Sequence, residues 1–266
     1  MLGKRIASAA VLIPIVGLAL YFGGYATMAL TLLAGVLAGI EYLQLLKRAH
    51  LSPPYGLVLL LILLGIADAH WPGGKLFAWG LLALVLGGLG GEVFRNNAPG
   101  SLGRWAHAIA GGLYIGLPLS YVVRLRGLEQ GLFWILVALL GTWICDTGAY
   151  LVGCSIGRRK LAPIISPKTT WEGAIGGLVF GVLAVLLLTR LLLSLPLWQG
   201  ALLGVLLVAA ATIGDLAESV IKRQVGVKDS GNLIPGHGGM LDRIDSLLFV
   251  IPLVYYFAIV IARVAQ

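Results

Sequence analysis

The chain has 266 residues, of which 59% are hydrophobic and 11% are charged, and its formal net charge is +8. Charged residues make up about a quarter of a soluble domain, so this composition excludes a water-soluble globular fold. Long unbroken apolar runs, without alternating segments of about ten residues, exclude an outer-membrane barrel. The sequence therefore predicts an all-α, polytopic membrane protein.

A helix of about 20 apolar residues crosses the hydrocarbon core of a bilayer. On this criterion the chain has nine predicted membrane-spanning helices, near residues 6–23, 25–46, 55–71, 75–93, 105–123, 131–153, 173–195, 197–221 and 246–263. The first run continues past Pro14 without a persuasive cleavage site. We therefore expect it to be a retained helix and not a signal peptide.

The distribution of basic residues predicts the orientation. With nine spans, the side of the N-terminus holds 14 of the 19 basic residues: Lys4, Arg5, Lys47, Arg48, Arg95, Arg104, Arg158, Arg159, Lys160, Lys168, Lys222, Arg223, Lys228 and Arg243. The positive-inside rule then places the N-terminus in the cytoplasm and the C-terminus outside the inner membrane. Basic residues at helix ends suit anionic lipid headgroups, so the charge does not indicate binding of nucleic acid.

One predicted helix carries charge in an apolar setting. Asp215 lies in the run ALLGVLLVAAATIGDLAES, where an ionised carboxylate costs on the order of 3 kcal/mol and requires a partner. Glu218, Ser219 and Lys222 follow at helical spacing and share a face with it. An internal contact between Asp215 and Lys222 is one explanation of this pattern, and a phosphate or metal site is the other.

A second acidic pair stands at the start of the last predicted span. Asp242 and Asp245 are three residues apart, and their carboxylates share a face if a helix begins by Asp242. Two close carboxylates suit Mg²⁺, which completes its shell with water and substrate phosphates. Alternatively, Asp242 caps the helix and Arg243 faces lipid phosphates.

A basic, glycine-rich segment separates these acids. It contains the phosphate-suited side chains of Lys222, Arg223, Lys228, His237 and Arg243, since Arg grips two phosphate oxygens and Lys supplies a compact charge. The same composition also fits a simple contact with lipid headgroups. For the histidine, the sequence leaves open phosphate binding, proton transfer and a structural hydrogen bond.

The segment 219–245, SVIKRQVGVKDSGNLIPGHGGMLDRID, resembles the signature of phosphatidate cytidylyltransferases, also called CDP-diacylglycerol synthases. Two further stretches are similar to the family: GTWICDTGAYLVG, which contains Asp146, and ISPKTTWEG, which contains Ser166, Lys168, Trp171 and Glu172. The likeness covers the C-terminal half. It divides the chain into scaffold spans at residues 1–100 and a catalytic region at residues 101–266.

The resemblance implies that phosphatidic acid attacks the α-phosphorus of CTP, which yields CDP-diacylglycerol and pyrophosphate. It implies metal ligation, by Mg²⁺ with room for a second cation, at Asp215, Asp242 and Asp245, with Asp146 as a weaker candidate. It implies catalytic roles for Lys222, Arg223, Lys228, His237 and Arg243. The residues implied in substrate binding are Ser166, Lys168, Ser219, Asp229, Gly238 and Gly239.

Three other functions are weighed against this one. The DGxxAR motif of CDP-alcohol phosphotransferases does not occur in the sequence. A CTP-dependent polyprenol or phytol kinase is the nearer rival. An ion-coupled transporter would use Asp68, Asp146 and Asp215 along an ion path, but the charged residues crowd one predicted face. We expect CTP, phosphatidic acid and membrane lipids as partners, and the sequence leaves a homodimer open.

Overall fold

In the computed structural model, residues 2–71, 75–95, 99–231, 233 and 238–264 are described, residues 2–9 by their backbone alone. The described residues form nine α-helices and two short strands. In chain order they are α1 (Leu2–Phe22), α2 (Gly24–Arg48), α3 (Tyr55–Asp68), α4 (Leu76–Phe94), α5 (Ser101–Gly127), α6 (Gly131–Ile156), β1 (Lys160–Ala162), β2 (Ser166–Thr170), α7 (Trp171–Leu192), α8 (Leu197–Gln224) and α9 (Leu241–Tyr256). A π-helical turn, Phe257–Ile261, continues α9.

Seven of these helices are long and apolar enough to cross a membrane within the part of the chain that the structure describes. They are α2, α4, α5, α6, α7, α8 and α9 with its π-helical continuation. Two described apolar segments are shorter than these seven helices. One is α3, with 14 residues, and the other is Ala10–Phe22, the part of α1 whose side chains are described. The protein is a multi-pass helical membrane protein, and the predicted number of nine spans is not confirmed.

The chain divides into two compact units. The first comprises Met1–Arg124 and Gln224–Arg243, and the second comprises Leu125–Arg223 and Ile244–Gln266. The boundaries of these units differ from the predicted division at residue 100. That division separates scaffold spans from a catalytic region by function, and it stays a prediction. In the first unit, apolar side chains of α2, α3 and α5 form the core, among them Leu43, Ile62 and Ile115, all with no more than 1% exposure.

The second unit is built on the close packing of α6 against α7. A Cβ atom at Gly173 would lie 2.9 Å from the carbonyl oxygen of Ala149, so the helices touch backbone to backbone at this point. Such small-residue contacts drive helix association where burial from water cannot. Outward-facing side chains such as Leu183 and Leu187 are exposed by 60% and 56%, as expected of a surface that contacts lipid.

Candidate functional site

The end of α8 and the start of α9 bring together four charged residues in the second unit. Lys222 Nζ forms an ion pair with Glu218 Oε2 one turn earlier, and the Glu218 side chain is fully buried. Glu218 is also a hydrogen-bonding neighbour of Asp245, and Asp215 lies near enough for its charge to act on the same carboxyl group. We call these four residues the α8–α9 cluster.

A glycine sets the distance between the two helices at this cluster. A Cβ atom at Gly214 would lie 2.8 Å from the carbonyl oxygen of Asp245 and 2.8 Å from Cα of Ser246. Any larger residue must therefore push the α9 backbone away. The Asp245 carboxylate accepts a hydrogen bond of 2.6 Å from the Ser246 amide, which orients the side chain at the point of closest contact with α8.

The loop between α8 and α9, residues 225–240, carries much of the family signature, and we call it the signature loop. Asp242, the second residue of α9, accepts hydrogen bonds from the Ser230 amide at 3.0 Å and from the Ser230 hydroxyl at 2.9 Å. It also accepts one from the Gly239 amide at 2.9 Å. Ser230 and Gly239 both precede α9, so Asp242 binds the loop and does not cap the first turn of its helix. A carboxylate oxygen of Asp242 retains lone pairs for a further ligand.

Glu41 of α2 is a second carboxylate at the signature loop, and the sequence analysis did not select it as a site residue. It is 5% exposed. Its oxygens accept hydrogen bonds from the amides of Met240 and Leu241 at 2.9 and 2.8 Å. Its position inside the apolar run GVLAGIEYLQLL is the signal that could have found it, because an acid in such a run needs a partner.

The connection between α6 and α7 forms an antiparallel hairpin of β1 and β2. The guanidinium Nε of Arg223, at the end of α8, donates a hydrogen bond of 3.0 Å to the carbonyl oxygen of Ile165. This contact joins the Lys222-Arg223 pair of the signature to the second stretch that resembles the family. Ser166, which opens β2, shares a hydrogen bond of 2.8 Å with the Thr169 hydroxyl.

Two polar side chains hold the hairpin to α7. Thr170 caps the helix, and its hydroxyl oxygen accepts a hydrogen bond of 3.1 Å from the Gly173 amide. Glu172 accepts hydrogen bonds from the amides of Arg158 and Arg159 at 3.0 and 3.2 Å. Acidic groups suit this position because a helix N-terminus carries partial positive charge. Glu172 therefore links the start of α7 to the segment that follows α6.

The other predicted site residues occupy varied positions. Lys228, Asp229 and Arg243 are exposed, and so are Lys168 on β2 and Asp146 on α6. Ser219 is buried on α8. Gly238 has a φ of 85°, a conformation that favours glycine. His237 lies outside the described residues.

Within the described ranges, no group of three or more His, Cys, Asp or Glu side chains is arranged as a metal site. Asp215 and Asp245 belong to the α8–α9 cluster of the second unit, whereas Asp242 and its partner Ser230 belong to the first unit. A pair of carboxylates is enough for Mg²⁺, which retains several waters and takes substrate phosphates as ligands. The α8–α9 cluster can thus offer both carboxylate oxygens to a cation and an ammonium group to a phosphate.

The chain is similar to known proteins over two different lengths. The model of the cytidylyltransferase family matches residues 3–261. A Bacillus subtilis (strain 168) protein named phosphatidate cytidylyltransferase is 47% identical over 146 residues, which are 54% of this chain and 54% of that protein. A protein of the same name from Staphylococcus saprophyticus is 43% identical to this chain, over 53% of this chain and 54% of that protein. In Mycobacterium tuberculosis (strain H37Rv) the identity is 41%, over 51% of this chain and 42% of that protein. The chain spans about half the length of the curated relatives it matches.

Proposed function

The chain belongs to the cytidylyltransferase family, and we propose that it is a phosphatidate cytidylyltransferase. In this reaction a phosphate oxygen of phosphatidic acid attacks the α-phosphorus of CTP, the bond to the β-phosphate breaks, and CDP-diacylglycerol and pyrophosphate form. The observation that carries the proposal is the α8–α9 cluster, in which Lys222 lies beside Glu218 and acts on Asp245. The relatives that bear this name supply the substrate class.

Transfer of a nucleotidyl group requires cations more than it requires a protein nucleophile. The enzyme has to hold two anions in line and neutralise the charge that builds on the leaving pyrophosphate. In our proposal the side chains of Lys222, Arg223, Lys228 and Arg243 bind the phosphates of CTP and lipid. Lys168 extends from β2 of the same unit as Arg223, and the contact of Arg223 with Ile165 supports its assignment to substrate binding.

The residues of the α8–α9 cluster fit a magnesium ion. Close carboxyl groups such as Asp215, Glu218 and Asp245 are stable together when a proton or a cation lies among them. We propose Asp215 and Asp245 as ligands, with Asp242 as a third and Asp146 as a weaker one for a second cation. Bound there, Mg²⁺ would lower the barrier by neutralising phosphate charge.

The remaining predicted residues keep supporting roles in the proposal. Ser166, Ser219 and Asp229 bind substrate, as do Gly238 and Gly239, since a glycine without a side chain lets a ligand approach the backbone closely. His237 is proposed to bind phosphate or to transfer a proton. Histidine is suited to either task because its ordinary pKa lies near neutral pH.

We also propose nine membrane spans, with the N-terminus and the site in the cytoplasm and the C-terminus outside an inner membrane. The support is the excess of basic residues on one predicted side, which sets orientation in membrane proteins. CTP is a cytoplasmic nucleotide, so the site must open to that side.

The proposal is tested with purified protein in detergent, supplied with phosphatidic acid, CTP and Mg²⁺. We expect release of pyrophosphate that depends on phosphatidic acid, together with one CDP-diacylglycerol per pyrophosphate by mass spectrometry. Omission of the lipid is the control. Folded protein that forms neither product under these conditions would contradict the proposal.

A further inference from the structure

Glu41 makes long-range contacts that the proposed reaction does not explain. It lies on α2, yet its carboxylate accepts hydrogen bonds from the Met240 and Leu241 amides, about 200 positions along the chain. The hydroxyl of Ser230 is a third donor: it lies 3.1 Å from Glu41 Oε2 and 2.9 Å from Asp242 Oδ2, and its single proton is shared between the two carboxylates. All three donors lie in the signature loop or at the first residue of α9, and all belong to the first unit with Glu41.

The charge of Glu41 matches what the start of α9 requires. The first amides of a helix have no partner within the helix, and they carry partial positive charge. Glu41 supplies an acceptor to two of them from a different element. A buried carboxylate is costly unless hydrogen bonds compensate it. Glu41 is compensated only while Ser230, Met240 and Leu241 keep the positions from which they donate to it.

Two glycines of the loop leave room for the Glu41 carboxylate. A Cβ atom at Gly231 would lie 2.8 Å from Glu41 Oε1. At Gly239, a Cβ atom would overlap both Glu41 and the Ser230 hydroxyl. The Ser230 hydroxyl also reaches Asp242 at 2.9 Å. Glu41 is therefore connected through one serine to a carboxylate of the signature itself.

We infer that Glu41 is a positioning residue: it fixes Ser230, Met240 and the start of α9 in the conformation that the proposed cytidylyl transfer uses. The inference rests on the proposed function, since the loop carries Lys228 and α9 carries Asp242 and Arg243. It also assigns a task to the N-terminal helices. Through Glu41, α2 contributes to the geometry of the site without touching a substrate.

The test uses the full chain with two independent changes and a matched control. Glu41→Gln keeps the size of the side chain but replaces one acceptor oxygen by a donor that faces an amide. Gly231→Ala leaves Glu41 intact and pushes its carboxylate away. The control is Glu92→Gln, because Glu92 is another buried acid of the first unit, at 7% exposure. Its charged partners are Arg104 at 3.1 Å and Arg95 at 3.3 Å, which lie outside the signature loop.

Two measurements are made on each variant in detergent. Hydrogen–deuterium exchange reports on the amides of residues 238–243, and steady-state kinetics give KM for CTP and kcat separately. We expect faster exchange in Glu41→Gln and in Gly231→Ala, and a KM for CTP raised about tenfold, the effect of losing a hydrogen bond to a charged group. Glu92→Gln should match the wild type in both. A merely structural role would lower the amount of active enzyme and leave KM unchanged.

The outcomes separate this inference from the proposed function. Unchanged exchange at residues 238–243 in Glu41→Gln overturns the inference whatever the kinetics, and faster exchange with an unchanged KM overturns it as well. If Glu41→Gln does not fold, Gly231→Ala carries both measurements. Wild-type protein that forms no CDP-diacylglycerol refutes the proposed function, and exchange then still decides whether Glu41 holds the loop.

Discussion

The ammonium group of Lys222 pairs with the carboxylate of Glu218 one turn earlier on α8, and the Glu218 side chain has no exposed surface. The pair has two consequences. It allows a charge to be buried inside an apolar helix, and it places a cation beside Asp245. Lys222 therefore serves stability and proposed phosphate binding together, which distinguishes it from exposed basic residues such as Lys228.

Substitution of Lys222 should affect both properties. Lys222→Met leaves Glu218 buried beside other carboxyl groups without its cation, and breaking a buried pair costs about 3–5 kcal/mol. We expect a lower melting temperature in detergent and no measurable CDP-diacylglycerol synthesis. Lys222→Arg keeps the charge and should keep most of the melting temperature. A wild-type melting temperature for Lys222→Met would show that the pair does not stabilise the helix.

Asp245 should be essential for activity and dispensable for folding. Asp245→Asn removes one negative charge from the α8–α9 cluster and with it a proposed ligand of Mg²⁺, so activity should be lost while the protein is still extracted in folded form.

The control for Asp245→Asn is Asp68→Asn. Asp68 is 8% exposed and is hydrogen-bonded to the Phe77 amide at 2.9 Å and to Arg124 at 3.1 Å, so that variant should lose stability and keep its KM for CTP. Turnover by Asp245→Asn at the wild-type rate would refute the assignment of this ligand.

The close approach of α8 and α9 should depend on Gly214. In Gly214→Ala the new methyl group meets the α9 backbone at 2.8 Å, so the helices must separate and the α8–α9 cluster must widen. We expect a lower melting temperature and at least a tenfold loss of kcat/KM, since misplacement of about 1 Å can cost on the order of 100-fold.

Gly87→Ala on α4 is the matched control for Gly214→Ala. A Cβ atom at Gly87 meets nothing within 4 Å, and alanine favours a helix over glycine by about 1 kcal/mol. Its melting temperature should equal or exceed that of the wild type. Equal behaviour of the two variants would show that Gly214 does not set the helix separation.

The proposed orientation is tested by cysteine labelling. Asp229→Cys in the signature loop and Gln130→Cys between α5 and α6 are both at exposed positions. They are introduced separately into protein in which Cys145 and Cys154 are replaced by serine. An impermeant maleimide should label Gln130→Cys in intact cells and Asp229→Cys only after permeabilisation. The reverse pattern would place the site outside.

The positions of the helices could be predicted from hydropathy, whereas their ends could not. The predicted span 105–123 lies inside α5, Ser101–Gly127, and the predicted span 246–263 begins after the start of α9 at Leu241. Hydropathy reports the part of a helix that lies in hydrocarbon. Backbone hydrogen bonds can continue a helix beyond its apolar stretch, as they do through the LDRID sequence at the start of α9.

Features that depend on contacts between distant residues were not predictable. The hairpin of β1 and β2 is short and contains Pro167, so it has no alternating pattern to reveal it. Glu41 was visible as an acid in an apolar run, but nothing in the sequence identifies the amides of Met240 and Leu241 as its partners. Helical spacing correctly indicated that Asp215, Glu218 and Lys222 share a face of α8. It did not select Glu218 as the partner of Lys222: the sequence analysis named Asp215, whereas the ion pair seen is with Glu218.

The most direct test of cytidylyl transfer follows two labels of CTP into lipid. Purified protein is incubated with phosphatidic acid, Mg²⁺ and CTP that carries radioactive phosphorus in the α-position in one reaction and in the γ-position in the other. We expect label in the lipid fraction from α-labelled CTP alone, in equal amount to the pyrophosphate released. Label in lipid from γ-labelled CTP alone would identify a CTP-dependent lipid kinase and refute cytidylyl transfer.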